Sequence, residues 1–99
     1  MISFKESCQL IEKYIREFEE ERLQIGNLIN HLQTVLDAIE ENKKEWVDAF
    51  RSEWWTLEQV YAVALDRGET SLSWESRTLV HEAIHNMKLL LKEANSFEE

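Results

Sequence analysis

The sequence contains no proline and only two glycines, so residues that interrupt helices are nearly absent from its 99 positions. Proline cannot donate the backbone hydrogen bond of a helix, and glycine costs about 1 kcal/mol in a helix interior. The alternation of apolar and polar residues that is typical of strands is also missing. The length suits one domain. We therefore predict an all-α fold in a single domain, residues 1–99.

Cysteine and long apolar runs are equally scarce. Cys8 is the only cysteine, which excludes an internal disulfide and favours a reducing compartment. No stretch approaches the 18 uncharged apolar residues of a membrane span, and the first residues lack the apolar run of a signal peptide. The sequence thus predicts a cytoplasmic protein with no membrane partner.

Positive charge is also in short supply. The chain has 20 acidic and 11 basic residues, a net charge of −9, and its first 42 residues hold 9 acidic and 4 basic side chains. Such a surface repels nucleic-acid phosphates and anionic lipids and attracts basic proteins. We expect no nucleic-acid partner and a basic protein partner.

One apolar seam dominates the first half of the chain. Ser3 and Glu6 have the spacing of a capping box, which predicts a helix start. Apolar residues then recur at spacings of four and three as far as Ile39, as they do along one face of a helix. Because the seam keeps its phase across Gly26, the pattern favours one long helix bent there. The alternative is a corner at Gly26 that divides the segment into two helices.

Two further helices follow. Asn42, with Glu45 three residues later, is a candidate cap for the second helix, and Gly68 suits the left-handed residue beyond its end. Its predicted apolar face comprises Val47, Phe50, Trp54, Leu57, Tyr61, Ala64 and Leu65. A third helix is expected from about Trp74 to Asn95. The prediction is an antiparallel bundle of three helices, or of four if the first is split at Gly26.

His81-Glu82-Ala83-Ile84-His85 matches the H-E-x-x-H signature of zinc peptidases. Two histidines one helical turn apart can hold Zn²⁺, while the glutamate activates its water. The sequence offers no evident third protein ligand, however, because Leu91 stands where the extended motif has its last histidine. We therefore predict no metal, no cofactor and no catalytic residue. A zinc hydrolase is the remote alternative.

The surface offers better candidates for binding than for catalysis. Trp55 projects roughly 140° away from the centre of the apolar face of its helix, at 100° per residue. An exposed tryptophan is a common anchor of protein interfaces, and runs of glutamate suit a basic partner. The predicted partner-binding residues are Glu19, Glu20, Glu21, Glu40, Glu41 and Trp55.

The stretch Trp54-Trp55-Thr56-Leu57-Glu58, continuing from Tyr61 to Gly68, is similar to a family signature. In size, charge and helical content the chain resembles the immunity proteins of bacterial contact-dependent inhibition and related polymorphic toxin systems. That resemblance implies an inhibitor, not an enzyme, that neutralises a cognate toxin nuclease by occluding its active site. The alternative is a homodimeric coiled-coil adaptor, because a 36-residue seam is long enough to pair with a second copy.

Overall fold

The computed structural model describes residues 3–39, 41–69 and 71–97, with only the backbone described at 41, 96 and 97. The described residues form four α-helices and no strand, which confirms the all-α class. The helices are α1 (Phe4–Glu19), α2 (Ile25–Ala38), α3 (Lys44–Asp66) and α4 (Trp74–Phe97), and a 3₁₀ turn, Glu41–Lys43, precedes α3. The favoured interpretation of a single long first helix is therefore wrong.

The first helix ends before Gly26, not at it. Glu21 adopts the left-handed conformation, with φ of 63°. Its N–H donates to the carbonyl of Phe18, and the N–H of Arg22 donates to that of Glu17. This hydrogen-bond pair is the Schellman motif that closes helix C-termini, usually with glycine at the left-handed position. The break at this position could not be predicted from the sequence, because a glutamate occupies the place that glycine usually takes.

Gly26 lies in the first turn of α2 and serves packing instead. A Cβ atom at Gly26 would lie 2.8 Å from the hydroxyl oxygen of Tyr61 and 2.9 Å from the ring carbon that bears it. The missing side chain thus lets Tyr61 of α3 approach the backbone of α2. Five residues, 20–24, reverse the chain between α1 and α2, so the two halves of the apolar seam face one another within one molecule. Because the seam is divided between two helices that pack on each other, its length is no argument for a coiled-coil dimer.

The four helices pack as a closed ring, with α1 on α2, α2 on α3, α3 on α4, and α4 on α1. Cross-helix contacts show that α3 is antiparallel to α4. Trp46 at the start of α3 donates to the carbonyl of Leu90 late in α4, whereas Glu53 accepts from Asn86 earlier in α4. This pair is therefore antiparallel, as predicted, and α1 and α3 stand at opposite corners of the ring.

The core fills the space between the four helices. Its members with no solvent exposure are Ile11, Leu28, Leu32, Phe50, Leu57 and Met87. Two tryptophans of α3 tie this helix to both neighbours. The indole N–H of Trp46 donates to the carbonyl of Leu90 at 2.8 Å, and that of Trp54 to the carbonyl of Ile29 at 2.9 Å. Both polar atoms are thereby satisfied while most of each ring packs on apolar groups.

The helix ends test the remaining predictions. Ser3 is confirmed as the N-cap of α1 by a bond from the N–H of Glu6 to its hydroxyl oxygen, but the Glu6 carboxylate accepts from the Ser3 hydroxyl and not from the backbone N–H of a capping box. Gly68 is left-handed at the end of α3, with φ of 67°. Asn42 does not cap α3, because the 3₁₀ turn places Lys43 at the N-cap position. Leu65 was expected in the core but is exposed, since it lies on the outer side of the last turn of α3. No helix in the described part of the chain is long and apolar enough to cross a membrane.

Candidate functional site

Three consecutive glutamates stand at the turn between α1 and α2. Glu19 is the last residue of α1, Glu20 is its C-cap, and Glu21 is the left-handed residue that follows. All three are exposed. We call these residues the acidic corner; it brings together three of the six partner-binding residues predicted from the sequence.

The acidic corner is an electrostatically unfavourable place for glutamates. The C-terminal end of a helix carries a partial negative charge, so carboxylates there lower stability. Two neighbours offset part of this cost. Lys88 of α4 donates to a carboxylate oxygen of Glu19 at 2.7 Å, and Arg22 pairs with Glu20. The hydrogen bond to Glu20 and the attraction of its charge raise the pKa of Arg22 above its ordinary value. Glu21 has no ion pair with any described residue.

The acidic corner forms one wall of a groove whose opposite wall is α4. This corner groove has a volume of about 680 Å³. Its apolar lining comes from Phe18, Leu23, Leu72, Val80 and Ile84. Its polar rim comprises Glu19, Glu21, Gln24, Arg77, His81, His85 and Lys88. The groove thus combines an apolar floor with carboxylates on one side and, on the other, two cationic side chains, Arg77 and Lys88, with two imidazoles.

Sequence reasoning missed that the two histidines of the H-E-x-x-H motif face the acidic corner. His81 and His85 are exposed on α4 and line the corner groove together with Glu19 and Glu21. The position of the two histidines relative to the acidic corner could not be predicted from the sequence, because it depends on where α1 ends. The carboxylate of Glu19 is held by Lys88. Among the described residues, no three His, Cys, Asp or Glu side chains are grouped closely enough to hold a metal ion.

The remaining predicted residues are not part of the acidic corner. Glu40 lies outside the described residues, and only the backbone of Glu41 is described. Trp55 is 57% exposed on α3 and does not line the corner groove. Trp74, at the start of α4, is more exposed still, at 73%, and lies beside His81 on the outer surface of that helix.

The corner groove offers an apolar floor and charged groups on its rim. Its apolar floor can take up a side chain from another molecule, and its two walls can pair with groups of opposite charge. Because the groove is open to water, the charges on its rim are screened and act mainly through their summed field. Comparisons with models of protein families, with curated proteins and with solved structures found no match for this chain.

Proposed function

We propose that this chain is an acidic inhibitor protein, of the immunity or antitoxin type, that neutralises a basic toxin nuclease. In this proposal the acidic corner enters the phosphate-binding site of the nuclease and occludes it. The observation that carries the proposal is the placement of Glu19, Glu20 and Glu21 at the negative end of α1. These carboxylates are gathered where they disfavour folding.

The backbone strengthens this argument. A residue with a Cβ atom costs roughly 1 kcal/mol more than glycine in the left-handed conformation. Glu21 adopts that conformation, although glycine fills the equivalent position after α3. A site whose residues conflict with local preferences in both charge and backbone conformation is expected to serve function. The net charge of −9 points the same way, because the whole surface attracts cations.

A nuclease is the partner that this geometry suits best. Nucleases bind phosphates with arginine and lysine side chains, and adjacent carboxylates present oxygen acceptors to those same groups. Opposite net charges also accelerate the encounter of two proteins at low ionic strength. The acidic corner is exposed at a turn, where it can reach into a concave site.

The direct test uses the protein encoded by the gene next to that of this chain. We expect this protein to degrade plasmid DNA or total RNA and to lose that activity when one equivalent of the chain is added. We also expect the two proteins to co-purify from the native host. A neighbouring gene that encodes no toxin, together with a pull-down that recovers none, would refute the proposal.

A pair of charge-matched variants locates the binding surface. The triple variant Glu19→Gln, Glu20→Gln, Glu21→Gln removes the acidic corner. The control replaces three exposed glutamates elsewhere, Glu45, Glu75 and Glu93, by glutamine. We expect the corner variant to weaken inhibition by tenfold or more, which corresponds to about 1.4 kcal/mol, and the control to change it by much less. Equal effects of the two variants would show that net charge, not the corner, drives binding.

A further inference from the structure

A second surface, on α3, has the opposite character to the acidic corner. Between residues 49 and 63 one outward sector of this helix contains no charged residue. Its members are Ala49, Ser52, Trp55, Thr56, Gln59, Ala62 and Val63. At 100° per residue these positions fall within a sector of about 140°. In a chain whose residues are 31% charged, four helical turns without a charge form a distinct surface, which we call the Trp55 face.

Removing water from the Trp55 face costs little free energy. Trp55 is 57% and Val63 43% exposed, so both lose apolar contact with water when covered. The hydroxyl of Thr56 donates to the carbonyl of Ser52 at 3.4 Å, which lowers the cost of burying it. Most of the other members have small side chains, and tryptophan is enriched among the residues that carry most of the binding energy of protein interfaces.

The exposed side of α2 is also poor in charge, with Asp37 as its only charged residue, but it is a weaker candidate. Its described exposed side chains are mainly amides and hydroxyls, such as Asn30, Gln33 and Thr34, which lose hydrogen bonds to water on burial. None of the large exposed apolar side chains of the described residues belongs to α2. The Trp55 face therefore combines low charge with apolar area, and α2 does not.

We propose that the Trp55 face binds the same face of a second copy of this chain. A basic partner is drawn to carboxylates, and on this face it would bury its cations without counter-ions, which is costly. Two copies that each carry a charge of −9 repel one another, so their contact is least opposed where both surfaces are neutral. A two-fold axis places identical faces together. No other surface on the described residues combines neutrality with an exposed tryptophan.

The helix geometry indicates how the two copies meet. If two α3 helices cross in antiparallel fashion near Gln59, Trp55 of one copy lies against Ala62 of the other. The small side chain at position 62 leaves room for the indole ring. The acidic corner remains free, because α1 and α3 stand at opposite corners of the ring. The proposal is therefore independent of the function proposed above.

The size of the face predicts a weak dimer. The face is about 21 Å long, from the 1.5 Å rise per residue, and a single helix face buries less than the roughly 800 Å² per partner of a standard interface. Self-association is accordingly expected in the micromolar range or weaker. Added salt should strengthen it, since salt screens the repulsion between the two net charges.

Sedimentation equilibrium over a wide range of protein concentration tests the proposal. The wild type should show a monomer–dimer equilibrium whose dissociation constant falls as NaCl is raised from 50 to 500 mM, a range that shortens the Debye length about threefold. Trp55→Ala should weaken dimerisation by tenfold or more, and Ala62→Glu should abolish it, because a larger, charged side chain would be buried against the Trp55 ring of the other copy. Trp74→Ala, which removes an exposed tryptophan from α4, should leave it unchanged. Far-UV circular dichroism checks that all variants fold.

Cross-linking supplies a positive readout. Gln59→Cys places a thiol near the proposed axis, and oxidation should convert this variant to a covalent dimer. Gln33→Cys on the exposed side of α2 is the matched control and should stay monomeric, since the native Cys8 is buried. A wild type that remains monomeric at every concentration, or a dimer that survives both Trp55→Ala and Ala62→Glu, would overturn the proposal.

Discussion

The phenol ring of Tyr61 lies in the space that a side chain at Gly26 would need. A Cβ atom there would come within 2.8 Å of the Tyr61 hydroxyl oxygen, so the Tyr61 ring reaches the backbone of α2 only because position 26 is glycine. The contact between Tyr61 and Gly26 explains why a glycine stands near the start of α2, where its backbone forms no turn and has no unusual conformation.

Gly26→Ala should therefore destabilise the wild type by about 1 kcal/mol or more, because the clash with Tyr61 outweighs the gain in helix propensity. In the background of Tyr61→Ala the same change should be neutral or stabilising. Urea unfolding of the four proteins measures this coupling. If Gly26→Ala had the same effect in both backgrounds, the close approach of Tyr61 would not be its cause.

Glu21→Gly should stabilise the protein by roughly 0.5–1 kcal/mol, since glycine adopts the left-handed conformation without a steric penalty. The natural reference is the end of α3, where Gly68 occupies the equivalent position; Gly68→Ala should cost a similar amount. Glu20→Gly controls for the lost charge, because Glu20 has a negative φ. Thermal or urea unfolding provides the measurement. Equal gains from the two glutamate variants would assign the effect to charge alone.

Stability and binding should respond in opposite directions at Glu21. If the acidic corner serves an inhibitor, Glu21→Gly yields a more stable protein that inhibits the cognate nuclease less well. Inhibition titrations and unfolding midpoints measured on the same preparation test this. A variant that gains stability with no loss of inhibition would remove Glu21 from the binding surface.

Two adjacent tryptophans of α3 should differ sharply in their importance for folding. Trp54→Phe loses the hydrogen bond to the Ile29 carbonyl and part of its packing, which should cost about 1–2 kcal/mol. Trp55→Phe changes an exposed ring and should stay within about 0.5 kcal/mol. Denaturant unfolding at low protein concentration separates these effects from self-association. Similar losses for both variants would contradict the described packing.

The H-E-x-x-H motif gives a prediction about metal. We expect protein purified without a histidine tag to retain no stoichiometric zinc after dialysis, because the described residues provide no third ligand near His81 and His85. Metal analysis by mass spectrometry, with His81→Ala as the comparison, is sufficient. One zinc per chain that disappears in His81→Ala would favour the hydrolase alternative.

The sequence predicted those parts of the fold that depend on short-range signals. The N-cap at Ser3 and the glycine at position 68 mark helix ends through local hydrogen bonds, and α4 follows directly from its apolar period. The end of α1 was missed for two physical reasons. Phe18 and Ile25 are seven residues apart, so the reversal preserves the apolar phase, and the left-handed residue is a glutamate. Periodicity alone cannot distinguish a continuous helix from a corner of that length.

The candidate site could be predicted only in part. The glutamates at positions 19–21 were identified from charge, but the groove beside them depends on how α4 packs against the corner. Whether Trp55 belongs to the same surface could not be judged before α1 and α3 were placed at opposite corners of the ring. Single-sequence patterns identify residue types; which of them share a surface is decided by packing.

The four tryptophans divide evenly between the interior and the surface. Trp46 and Trp54 are largely covered and donate to carbonyls of neighbouring helices, whereas Trp55 and Trp74 face water. The chain therefore carries two sets of intrinsic fluorophores. Iodide or acrylamide should quench the outer pair selectively in the native state, while the emission of the inner pair reports the opening of the bundle. Tryptophan fluorescence can therefore report both the unfolding of the bundle and the covering of Trp55 or Trp74 by a partner, without an added label.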